Sequence, residues 1–300
     1  MNILLLGKNG QVGWELQRSL SPLGQLLAVG RHEVDFYNID DLRRCVQHYQ
    51  PKIIVNAAAY TAVDKAESEP EKAYRINAEA VSALAEESDR LGAWLVHYST
   101  DYVFDGNKAG AYLESDAAHP LSIYGQSKLA GENAIRNVGC KHLVFRSSWV
   151  YSVYGANFPL AILRRALEME RIDVVADSIG APTSAHLIAD VTALVLHQLV
   201  QEKFPDEISG TYHLTATGET SWYEYAQFIV RLARKRGLPV KVAANRVFPM
   251  SIDSYQAAAR RPKNSRLDVD KIREQFYISF PDLKIHFSRF IEEISKARPL

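Results

Sequence analysis

A tyrosine and a lysine four residues apart, Tyr124 and Lys128, stand in the segment YGQSKLAGE. On a helix, positions i and i+4 lie on the same face, so a phenol and an ammonium group would lie side by side. A nearby positive charge favours the phenolate, and so lowers the tyrosine pKa from about 10 toward the range useful for general acid–base catalysis. The same spacing also arises by chance on a solvated helix face, so the pair needs support from the rest of the chain.

Gly7, Gly10 and Gly13 form a G-x-x-G-x-x-G pattern in the segment GKNGQVG. The pattern follows a short apolar run and opens a helix-length segment, where backbone amides and the helix dipole can receive a pyrophosphate. We therefore expect these glycines, with Gln11 and Val12 between them, to bind a dinucleotide. A tight strand-to-helix turn uses glycine as well, so the pattern is a weak signal by itself.

The residues after the second apolar run bear on the choice of dinucleotide. A fold that selects NAD usually places Asp or Glu there to bind the adenosine ribose, whereas this sequence has Arg31. Arg31 can meet the 2′-phosphate of NADPH, or it can be a solvated residue of a turn, and Glu33 leaves the use of NADH open. Asp35 and Phe36 complete the expected adenosine site, with the Asp35 carboxylate accepting from the adenine amino group.

Alternating apolar runs and helix-length segments predict the element that positions these residues. Runs typical of strands buried on both faces are Ile3–Gly7, Leu26–Gly30, Ile53–Ala59, Trp94–Thr100 and His142–Trp149. The helix-length segments between them cover residues 11–20, 39–49, 70–92 and 124–137. This order predicts an α/β fold with a Rossmann-type, doubly wound parallel sheet, in which ligands bind beyond the carboxyl ends of the strands.

The second half of the chain does not continue the regular alternation of strand and helix segments. Amphipathic segments at 157–171 and 220–237 alternate with a short strand candidate at 210–218 and with proline-bearing loops. This pattern favours a smaller, mixed α/β substrate-binding lobe. We therefore expect an NAD(P)-binding domain over 1–148, with a return at about 170–205, and a substrate lobe over about 149–169 and 206–300.

Composition excludes several classes of partner. Lys plus Arg equals Asp plus Glu at 35 each in 300 residues, so no basic excess indicates nucleic-acid binding. Two cysteines are too few for a disulfide framework or a zinc site. The first residues lack a basic n-region, and no apolar run approaches the roughly 18 residues that span a bilayer. We expect a cytoplasmic protein with no membrane partner.

The motifs together resemble the extended short-chain dehydrogenase/reductase superfamily: the glycine pattern, NAAA at 56–59, YSTDYVFDG at 98–106 and the Tyr124-x-x-x-Lys128 spacing. Within that superfamily, the chain most resembles the dTDP-4-dehydrorhamnose reductase family. The segments that carry this resemblance are AAAYTAVDKAESEP, STDYVFDG, YGQSKLAGE, RSSWVY, GAPTSA and ARRPKNSRL. The resemblance runs through the whole chain. It implies reduction of a dTDP-linked 4-keto sugar with NADPH. A non-catalytic relative, the regulatory subunit of methionine adenosyltransferase, shares much of the pattern, and a nucleotide-sugar epimerase of the same superfamily is a further alternative.

The resemblance also implies a role for each matching residue. Tyr124 would protonate the sugar C4 oxygen, Lys128 would tune that phenol and hold the nicotinamide ribose, and Thr100 would hydrogen-bond the same oxygen. A set lining the cofactor cleft would be Ala57, Ala58, Ala59 and Tyr98. The substrate-binding set would be Thr61, Asp101, Phe104, Trp149, Arg260 and Arg261. Asp64, Lys65 and Glu67 can instead be no more than an exposed charge cluster on a helix.

One departure from the resembling family concerns a metal. Some members form a homodimer with magnesium held by glutamates at the interface, and Glu15 matches one of those ligands. His186, in GAPTSAHLIAD, stands where the family pattern carries a glutamate, and imidazole is a poor magnesium ligand. We predict no structural magnesium, although Asp190 one turn further on can compensate in part. Any homodimer would then use packing and direct pairing, such as Glu15 with His186 across a two-fold axis.

Overall fold

A computed structural model describes residues 1–201 and 208–296 of the chain. Its central feature is a parallel sheet of six strands: β1 (Asn2–Leu6), β2 (Gln25–Val29), β3 (Ile53–Asn56), β4 (Trp94–Thr100), β5 (His142–Ser147) and β10 (Gly210–His213). The strands lie in the order β10-β5-β4-β3-β1-β2. The chain places β2 on one side of β1 and then β3, β4 and β5 in turn on the other side, as in a doubly wound fold. This order confirms the predicted fold class.

Short strands lie outside this sheet: β6 (Val150–Tyr151), β7 (Ile172–Val175), β8 (Ile179–Gly180), β9 (Thr183–Ser184), β11 (Thr220–Ser221), β12 (Val247–Met250) and β13 (Asn264–Ser265). They form small pairings, such as β12 with β7 and β6 with β9. These pairings tie the second half of the chain together beside the main sheet.

Helices cover both faces of the main sheet. In the first half these are α1 (Gln11–Leu20), α2 (Ile39–Tyr49), α3 (Val63–Ala66), α4 (Pro70–Tyr74), α5 (Ala80–Leu91) and α6 (Ile123–Val138). The second half adds α7 (Phe158–Glu168), α8 (Ala185–Val200), α9 (Trp222–Lys235), α10 (Asp270–Phe276) and α11 (Leu283–Lys296). None of the helices in these described stretches combines the length and apolar character that crossing a bilayer needs.

Side chains of β1 alternate between two separate cores. Ile3 and Leu5 pack with α1 and α8 on one face, whereas Leu4 and Leu6 pack with α2 and α5 on the other. A third apolar cluster joins α7, α9 and α11 and forms the core of the smaller lobe. The sheet is thus buried on both faces, which fixes its carboxyl edge as a rigid platform.

Most predicted elements of the first half appear close to their expected limits, and α1 and α2 have those limits. The predicted helix at 70–92 is helical from Pro70 to Leu91, but it contains a π-helical turn over Arg75–Glu79 between α4 and α5. The segment Gly210–His213, which the sequence analysis assigned to the smaller lobe, is β10 and pairs in parallel with β5 at the edge of the main sheet. The lobe limits stay a prediction, and the limit at 205/206 falls outside the described residues.

Candidate active site

Helix α6 presents Tyr124 in its first turn and Lys128 in its second. Two side chains satisfy the free backbone amides at its start: Ser122 accepts from Gly125 N at 3.2 Å, and Glu67 accepts from Ile123 N at 2.9 Å. Glu67 therefore caps the start of α6 and is not merely part of an exposed charge cluster, the alternative that the sequence left open. Both predicted catalytic side chains start from a fixed helix end.

Lys128 is buried to 2% exposure beneath the carboxyl end of β4. Its Nζ donates to the Tyr98 carbonyl at 2.6 Å and lies 3.1 Å from His97 Nε2. Burial lowers the pKa of Lys128 to about 8, although the charge of Glu132 opposes the shift. The lysine is held at a fixed point with its charge weakly favoured.

Tyr124 lies next to Thr100, the last residue of β4. Burial raises the pKa of Tyr124 to about 12, while a hydrogen bond with the Thr100 side chain opposes the rise. The expected lowering by Lys128 is therefore wrong for this structure, because desolvation of the phenol outweighs any effect of the lysine. Tyr124 is protonated at neutral pH, as a proton donor must be.

Asp101 continues from Thr100 and is almost fully buried. Its Oδ1 accepts from Thr100 Oγ1 at 3.1 Å, whereas Oδ2 makes no hydrogen bond of ordinary geometry among the described residues, and the nearby Ser265 hydroxyl favours the carboxylate only in part. Burial raises the pKa of Asp101 to about 6. A buried oxygen that lacks an ordinary hydrogen bond beside Thr100 fits the predicted role of Asp101 in contacting a polar substrate.

The predicted dinucleotide turn lies where β1 meets α1. Gly7 has φ +86°, and a Cβ there would lie 2.6 Å from Ala58 N. A Cβ on Gly13 would lie 2.0 Å from the Gly7 carbonyl oxygen, so glycine is required at both positions. The backbones of the turn and of the Ala57–Ala59 segment therefore touch, next to the amino end of α1. This closeness fits a pyrophosphate bound against backbone amides.

The expected adenosine site forms a cavity of about 730 Å³. Arg31 and Asp35 both line it, together with Tyr37, Ser68, Glu69, Pro70, Glu71, Lys72 and Ile76. Glu33 points elsewhere: it accepts from Gly30 N at 2.8 Å and pairs with Lys8. The structure thus brings Arg31 and Asp35 together in one cavity after β2, which two cationic and three acidic side chains line.

Other predicted cofactor residues have structural partners of their own. The Tyr98 hydroxyl bonds Thr192 Oγ1 of α8 at 2.8 Å, so this side chain lies on the sheet face opposite Lys128 and only its carbonyl reaches the lysine. Phe36 belongs to the core against α2 and α5, and Val12 packs on the opposite core. Gln11 Oε1 accepts from Asn157 Nδ2 at 2.9 Å, which ties the glycine turn to the smaller lobe.

Two tryptophans form a platform on the substrate side. Trp149 has a left-handed backbone, with φ 48°, and its ring stacks on Trp222 with centroids 3.5 Å apart. The strained backbone aims the indole at α9 rather than along β5. Phe104 is buried and stacks on Tyr112 at 4.1 Å, with the Arg146 guanidinium 5.0 Å from its ring centroid.

The predicted arginines differ in their surroundings. Arg261 forms a two-point ion pair with Asp64, in which Nη2 lies 2.6 Å from Oδ2 and Nη1 lies 3.1 Å from Oδ1. Asp64 is therefore an inter-segment partner and not merely part of an exposed charge cluster. Arg260 and Thr61 are exposed. Their predicted contacts with the substrate stay predictions.

Sequence reasoning missed His97 and Trp222. His97 is fully buried between Asn56 and Lys128, and burial together with the lysine charge holds the pKa of His97 well below its ordinary value. Strand alternation could have found it, because residues 97 and 99 of β4 face the same side, toward α6. Trp222 follows Ser221, the cap of α9, and nothing in the neighbouring sequence indicates that it stacks on Trp149.

The predicted interface pairing lies within one chain. His186 Nε2 is 3.2 Å from Glu15 Oε2 in the same chain, so the expected pairing across a two-fold axis is not needed to explain the contact. Asp190 instead accepts from Arg18 at 2.7 Å. Within residues 1–201 and 208–296, no group of three or more His, Cys, Asp or Glu side chains is placed to hold a metal ion. The absence of magnesium stays a prediction.

A doubly wound sheet, a glycine turn touching the next strand end, and a Thr-Tyr-Lys set at the carboxyl edge define a Rossmann-type oxidoreductase of the extended short-chain dehydrogenase/reductase class. Comparison with known proteins narrows this class. Residues 1–296 match the model of the RmlD substrate binding domain family, and the chain belongs to that family.

Relatives in this family share one name. The chain is 48% identical over 298 residues to the dTDP-4-dehydrorhamnose reductase of Escherichia coli K12, with 98% of each chain covered. It is 46% identical over 283 residues to the Burkholderia thailandensis protein of the same name, covering 94% of this chain and 95% of the relative.

Solved structures agree with these relatives. A Bacillus anthracis dTDP-4-dehydrorhamnose reductase in complex with NADP superposes with a TM-score of 0.86 at 36% identity, covering 97% of this chain and 99% of that one. A dTDP-glucose 4,6-dehydratase from Streptomyces venezuelae matches at 17% identity with a TM-score of 0.80, over 99% of this chain and 98% of that one, which shows the shared fold alone.

Proposed function

We propose that this chain reduces the C4 keto group of dTDP-4-dehydro-L-rhamnose with NADPH and forms dTDP-L-rhamnose, a precursor of cell-surface polysaccharide. The observation that supports this most is the placement of Thr100, Tyr124 and Lys128 at the carboxyl end of β4, with Tyr124 hydrogen-bonded to Thr100 and protonated. The proposal places the enzyme in the cytoplasm and includes a homodimer.

The residues present fit NADPH. The glycine turn leaves no room for a Cβ at Gly7 or Gly13, and the cavity lined by Arg31 and Asp35 follows β2. Arg31 would hold the 2′-phosphate by a charge-assisted hydrogen bond. NADPH supplies the hydride when bound. Arg31 is exposed, so NADH, which lacks the 2′-phosphate, remains a second, weaker cofactor although Glu33 is turned away from the cavity.

This chain's own groups handle the proton. Tyr124 donates its phenolic proton to the sugar C4 oxygen. The Thr100 hydroxyl, which donates to Asp101 Oδ1 in this structure, turns to donate to the same sugar oxygen as negative charge develops there. Lys128 holds the nicotinamide ribose hydroxyls from its fixed position under β4. Asp101 and the Trp149 ring orient the deoxysugar, while Arg260 and Arg261 meet the diphosphate.

Two other functions fit part of the same evidence. A regulatory binding protein of the methionine adenosyltransferase type would keep the fold and the cofactor without turnover, but the complete Thr100, Tyr124 and Lys128 set favours an enzyme. A nucleotide-sugar epimerase would return the hydride to its substrate, and Arg31 in place of an acidic strand-end residue argues against its bound NAD.

Steady-state NADPH oxidation with a panel of dTDP-, UDP- and GDP-linked 4-keto sugars tests the proposal. We expect turnover with the dTDP-linked 4-keto-6-deoxyhexose and a kcat/KM at least ten-fold lower with the UDP and GDP analogues. Product analysis by NMR must show the C4 alcohol of the L-rhamno configuration. NADPH binding without oxidation by any of these sugars would favour the regulatory alternative.

A further inference from the structure

Glu132, on the buried face of α6, joins this helix to two strands of the main sheet. Its side chain is 0% exposed. Oε1 accepts from Ser99 Oγ of β4 at 2.6 Å and from Arg146 Nε of β5 at 2.9 Å, and Oε2 accepts from Arg146 Nη2 at 2.6 Å. Charge-assisted hydrogen bonds of this kind are stronger than those between neutral groups. One carboxylate therefore fixes α6 against β4 and β5 at the same point.

The bonds of Lys128 and Glu132 reach consecutive residues of β4. Lys128 Nζ donates to the Tyr98 carbonyl at 2.6 Å, and Glu132, one helical turn later, accepts from Ser99. The next residue of the chain is Thr100, which ends the strand. A shift of α6 along β4 by one residue, about 1.5 Å, would break both bonds. Together the two bonds set where the helix places its side chains relative to Thr100.

Glu132 also brings negative charge near a buried cation. Lys128 is 2% exposed, so water does little to stabilise its ammonium form. Burial lowers the pKa of Lys128 to about 8, and the charge of Glu132 opposes that shift. Burial alone would raise the pKa of Glu132, but the hydrogen bonds and charge of Arg146 hold it below its ordinary value. Glu132 is thus ionised at neutral pH, and Lys128 is mostly an ammonium.

Other titratable groups around Lys128 differ from Glu132 in charge or in the group on which they act. His97 Nε2 of β4 lies 3.1 Å from Lys128 Nζ, and the ring is neutral because burial and the lysine charge hold the pKa of His97 well below its ordinary value. Tyr124 is protonated, because burial raises its pKa and the charge of Asp101 adds to that rise. The charge of Glu132 is therefore the one that we expect to govern the ammonium group.

We propose that Glu132 is a positioning residue, which holds α6 in register with β4 and keeps Lys128 positively charged inside the protein. This inference rests on the proposed function for its consequence. The ammonium group must stand at one place to hold the nicotinamide ribose, while Tyr124 must reach the sugar oxygen that Thr100 also binds. Glu132 itself touches neither ligand, because its carboxylate is fully buried between α6 and the sheet.

Carbon-13 NMR of the ligand-free protein, labelled in its lysine side chains, measures the charge of Lys128 directly. The Lys128 signal is assigned by its loss in Lys128→Met. Glu132→Gln keeps the size of the side chain and one oxygen acceptor but removes the charge, so Arg146 and Lys128 remain as two buried cations without this anion. We expect Lys128 to lose its proton about one pH unit lower, or more, than in the native protein. An unchanged titration would overturn the proposal.

Glu87→Gln is the matched control. Glu87 of α5 is also buried, at 4% exposure, and it accepts from Arg90 Nη2 at 2.7 Å and from Gln47 Nε2 at 2.8 Å, so its surroundings resemble those of Glu132. Both variants should lose thermal stability. Only Glu132→Gln should shift the Lys128 titration and lower kcat, by about ten-fold or more, because Glu87 lies on another helix. Equal losses of kcat in the two variants would show that Glu132 acts through stability alone and would overturn the proposal.

Glu132→Asp separates the charge of the side chain from its reach. The shorter side chain keeps a negative charge beside Arg146 but loses the length that reaches Ser99. We expect Lys128 to titrate near its native pH in this variant, while kcat falls. In steady-state kinetics, kcat/KM should decline toward high pH as Lys128 loses its proton, and Glu132→Gln should move that decline to lower pH. An equal shift in both variants would reject the role of the charge, and a native kcat in Glu132→Asp would reject the role of the register.

The two kinds of readout separate this inference from the proposed function. A protein whose Lys128 titration shifts in Glu132→Gln, but which reduces no 4-keto sugar, would reject the proposed function alone. An active reductase whose Lys128 titration does not respond to Glu132→Gln would reject the role of Glu132 alone. If Glu132→Gln does not fold, Ser99→Ala and Glu132→Asp still decide. Ser99→Ala removes the bond to β4 and leaves the ion pair, so kcat should fall about three-fold or more with no change in the titration. A native kcat in both variants would overturn the proposal.

Discussion

Tyr124 is the residue whose hydroxyl should matter most to turnover. Tyr124→Phe removes the proton donor and keeps the ring that lies edge-on to Tyr102, with centroids 5.6 Å apart. We expect kcat to fall by about two to four orders of magnitude, the usual contribution of general acid catalysis, with little change in the Kd for NADPH. In the comparison variant Lys128→Met, we expect kcat to fall and the Kd for NADPH to rise. Near-normal turnover of a well-folded Tyr124→Phe protein would contradict the mechanism.

Arg31 should decide the preference between cofactors. Removing one charge-assisted contact to a phosphate weakens binding by about 1.5–3 kcal/mol, so Arg31→Ala should raise the Kd for NADPH roughly ten-fold or more. The Kd for NADH should stay nearly unchanged, because NADH lacks the 2′-phosphate. Fluorescence titration with both cofactors measures this, with His32→Ala, also exposed, as the control. Equal losses for both cofactors would show that Arg31 acts through folding or through a shared contact.

Asp101 should make the folded protein less stable as the pH rises. Its pKa is about 6 in the folded state and near 4 when unfolded, so the folded protein holds the proton more tightly and loses stability between about pH 4 and pH 6. Two pKa units correspond to about 3 kcal/mol. Asp101→Asn keeps an acceptor for Thr100 without the charge. It should raise the free energy of unfolding by about 2–3 kcal/mol at pH 8 but by only about 1 kcal/mol near pH 4.5, where the unfolded carboxyl is largely ionised and the folded one is not.

Urea unfolding at the two pH values measures this difference. Asp105→Asn is a control of opposite sign, since hydrogen bonds from Asn107 and Tyr112 lower the pKa of Asp105. That variant should be less stable than the native protein at pH 8. An Asp101→Asn protein that is no more stable at pH 8 than at pH 4.5, relative to the native chain, would show that unseen partners satisfy the carboxylate.

Residue types at fixed spacing predicted which residues form the site, but they did not predict the charge states of those residues. The sequence could place Tyr124 beside Lys128 because both lie on one helix, and it could place Thr100 because it ends a strand. The pKa of Tyr124 depends on how deeply the phenol is buried, which no local pattern reveals. His97 reaches Lys128 only through the packing of α6 on β4, a contact between residues 31 positions apart.

Among the elements, α6 depends on a close approach that a single methyl group would prevent. A Cβ on Gly131 would lie 2.1 Å from the Asn77 carbonyl oxygen in the π-helical turn. Gly131→Ala should destabilise the protein by about 1–3 kcal/mol, since overpacking exceeds the gain of about 1 kcal/mol in helix propensity. It should also lower kcat by ten-fold or more, because α6 carries both Tyr124 and Lys128.

Thermal unfolding and steady-state kinetics on one preparation measure both effects. Gly110→Ala is the matched control, because a Cβ there meets nothing within 4 Å. A Gly131→Ala enzyme with native stability and turnover would mean that the turn yields without moving α6.

Local patterns predicted elements whose limits are set locally. Both α1 and α2 begin and end as expected, because a glycine turn or an Asn38 cap starts them. The π-helical turn at Arg75–Glu79 escaped prediction, since the sequence RINAE contains neither Pro nor Gly. Asn77 explains it afterwards: its side chain bonds Tyr60 N at 2.8 Å and Ser127 Oγ at 3.0 Å, which are tertiary contacts.

At the scale of the whole molecule, several contacts join the lobes, and two of them involve residues of the predicted site. Gln11 of the glycine turn bonds Asn157 at the cap of α7, and Asp64 of α3 pairs with Arg261. The sequence predicted a second lobe because the regular alternation of strand and helix segments ends after Trp149. It could not show that β10 returns to the main sheet, because a short strand reads the same in either lobe.

The region where some members of the resembling family hold magnesium is already balanced in charge within one chain here. His186 lies against Glu15, and Arg18 is 3.8 Å from Glu15 and binds Asp190. The pKa of Arg289 lies above its ordinary value chiefly because of its hydrogen bond with Glu293, and the charges of Asp190 and Glu15 add to the rise. Each carboxylate thus has a cationic or imidazole neighbour. A divalent cation would have to displace these groups and accept fewer oxygen donors than magnesium prefers.

We therefore predict that this protein needs no structural magnesium. Sedimentation velocity and NADPH-dependent turnover should be the same with and without EDTA, whatever the oligomeric state, because protein side chains already supply the positive charge that the metal would bring. His186→Glu is the informative variant: it restores an oxygen donor beside Glu15 and should make the region magnesium-sensitive, with like charges left unpaired when the metal is removed. Loss of a native dimer or of native turnover on chelation, restored by added magnesium, would return Glu15 to the metal ligands and falsify the prediction.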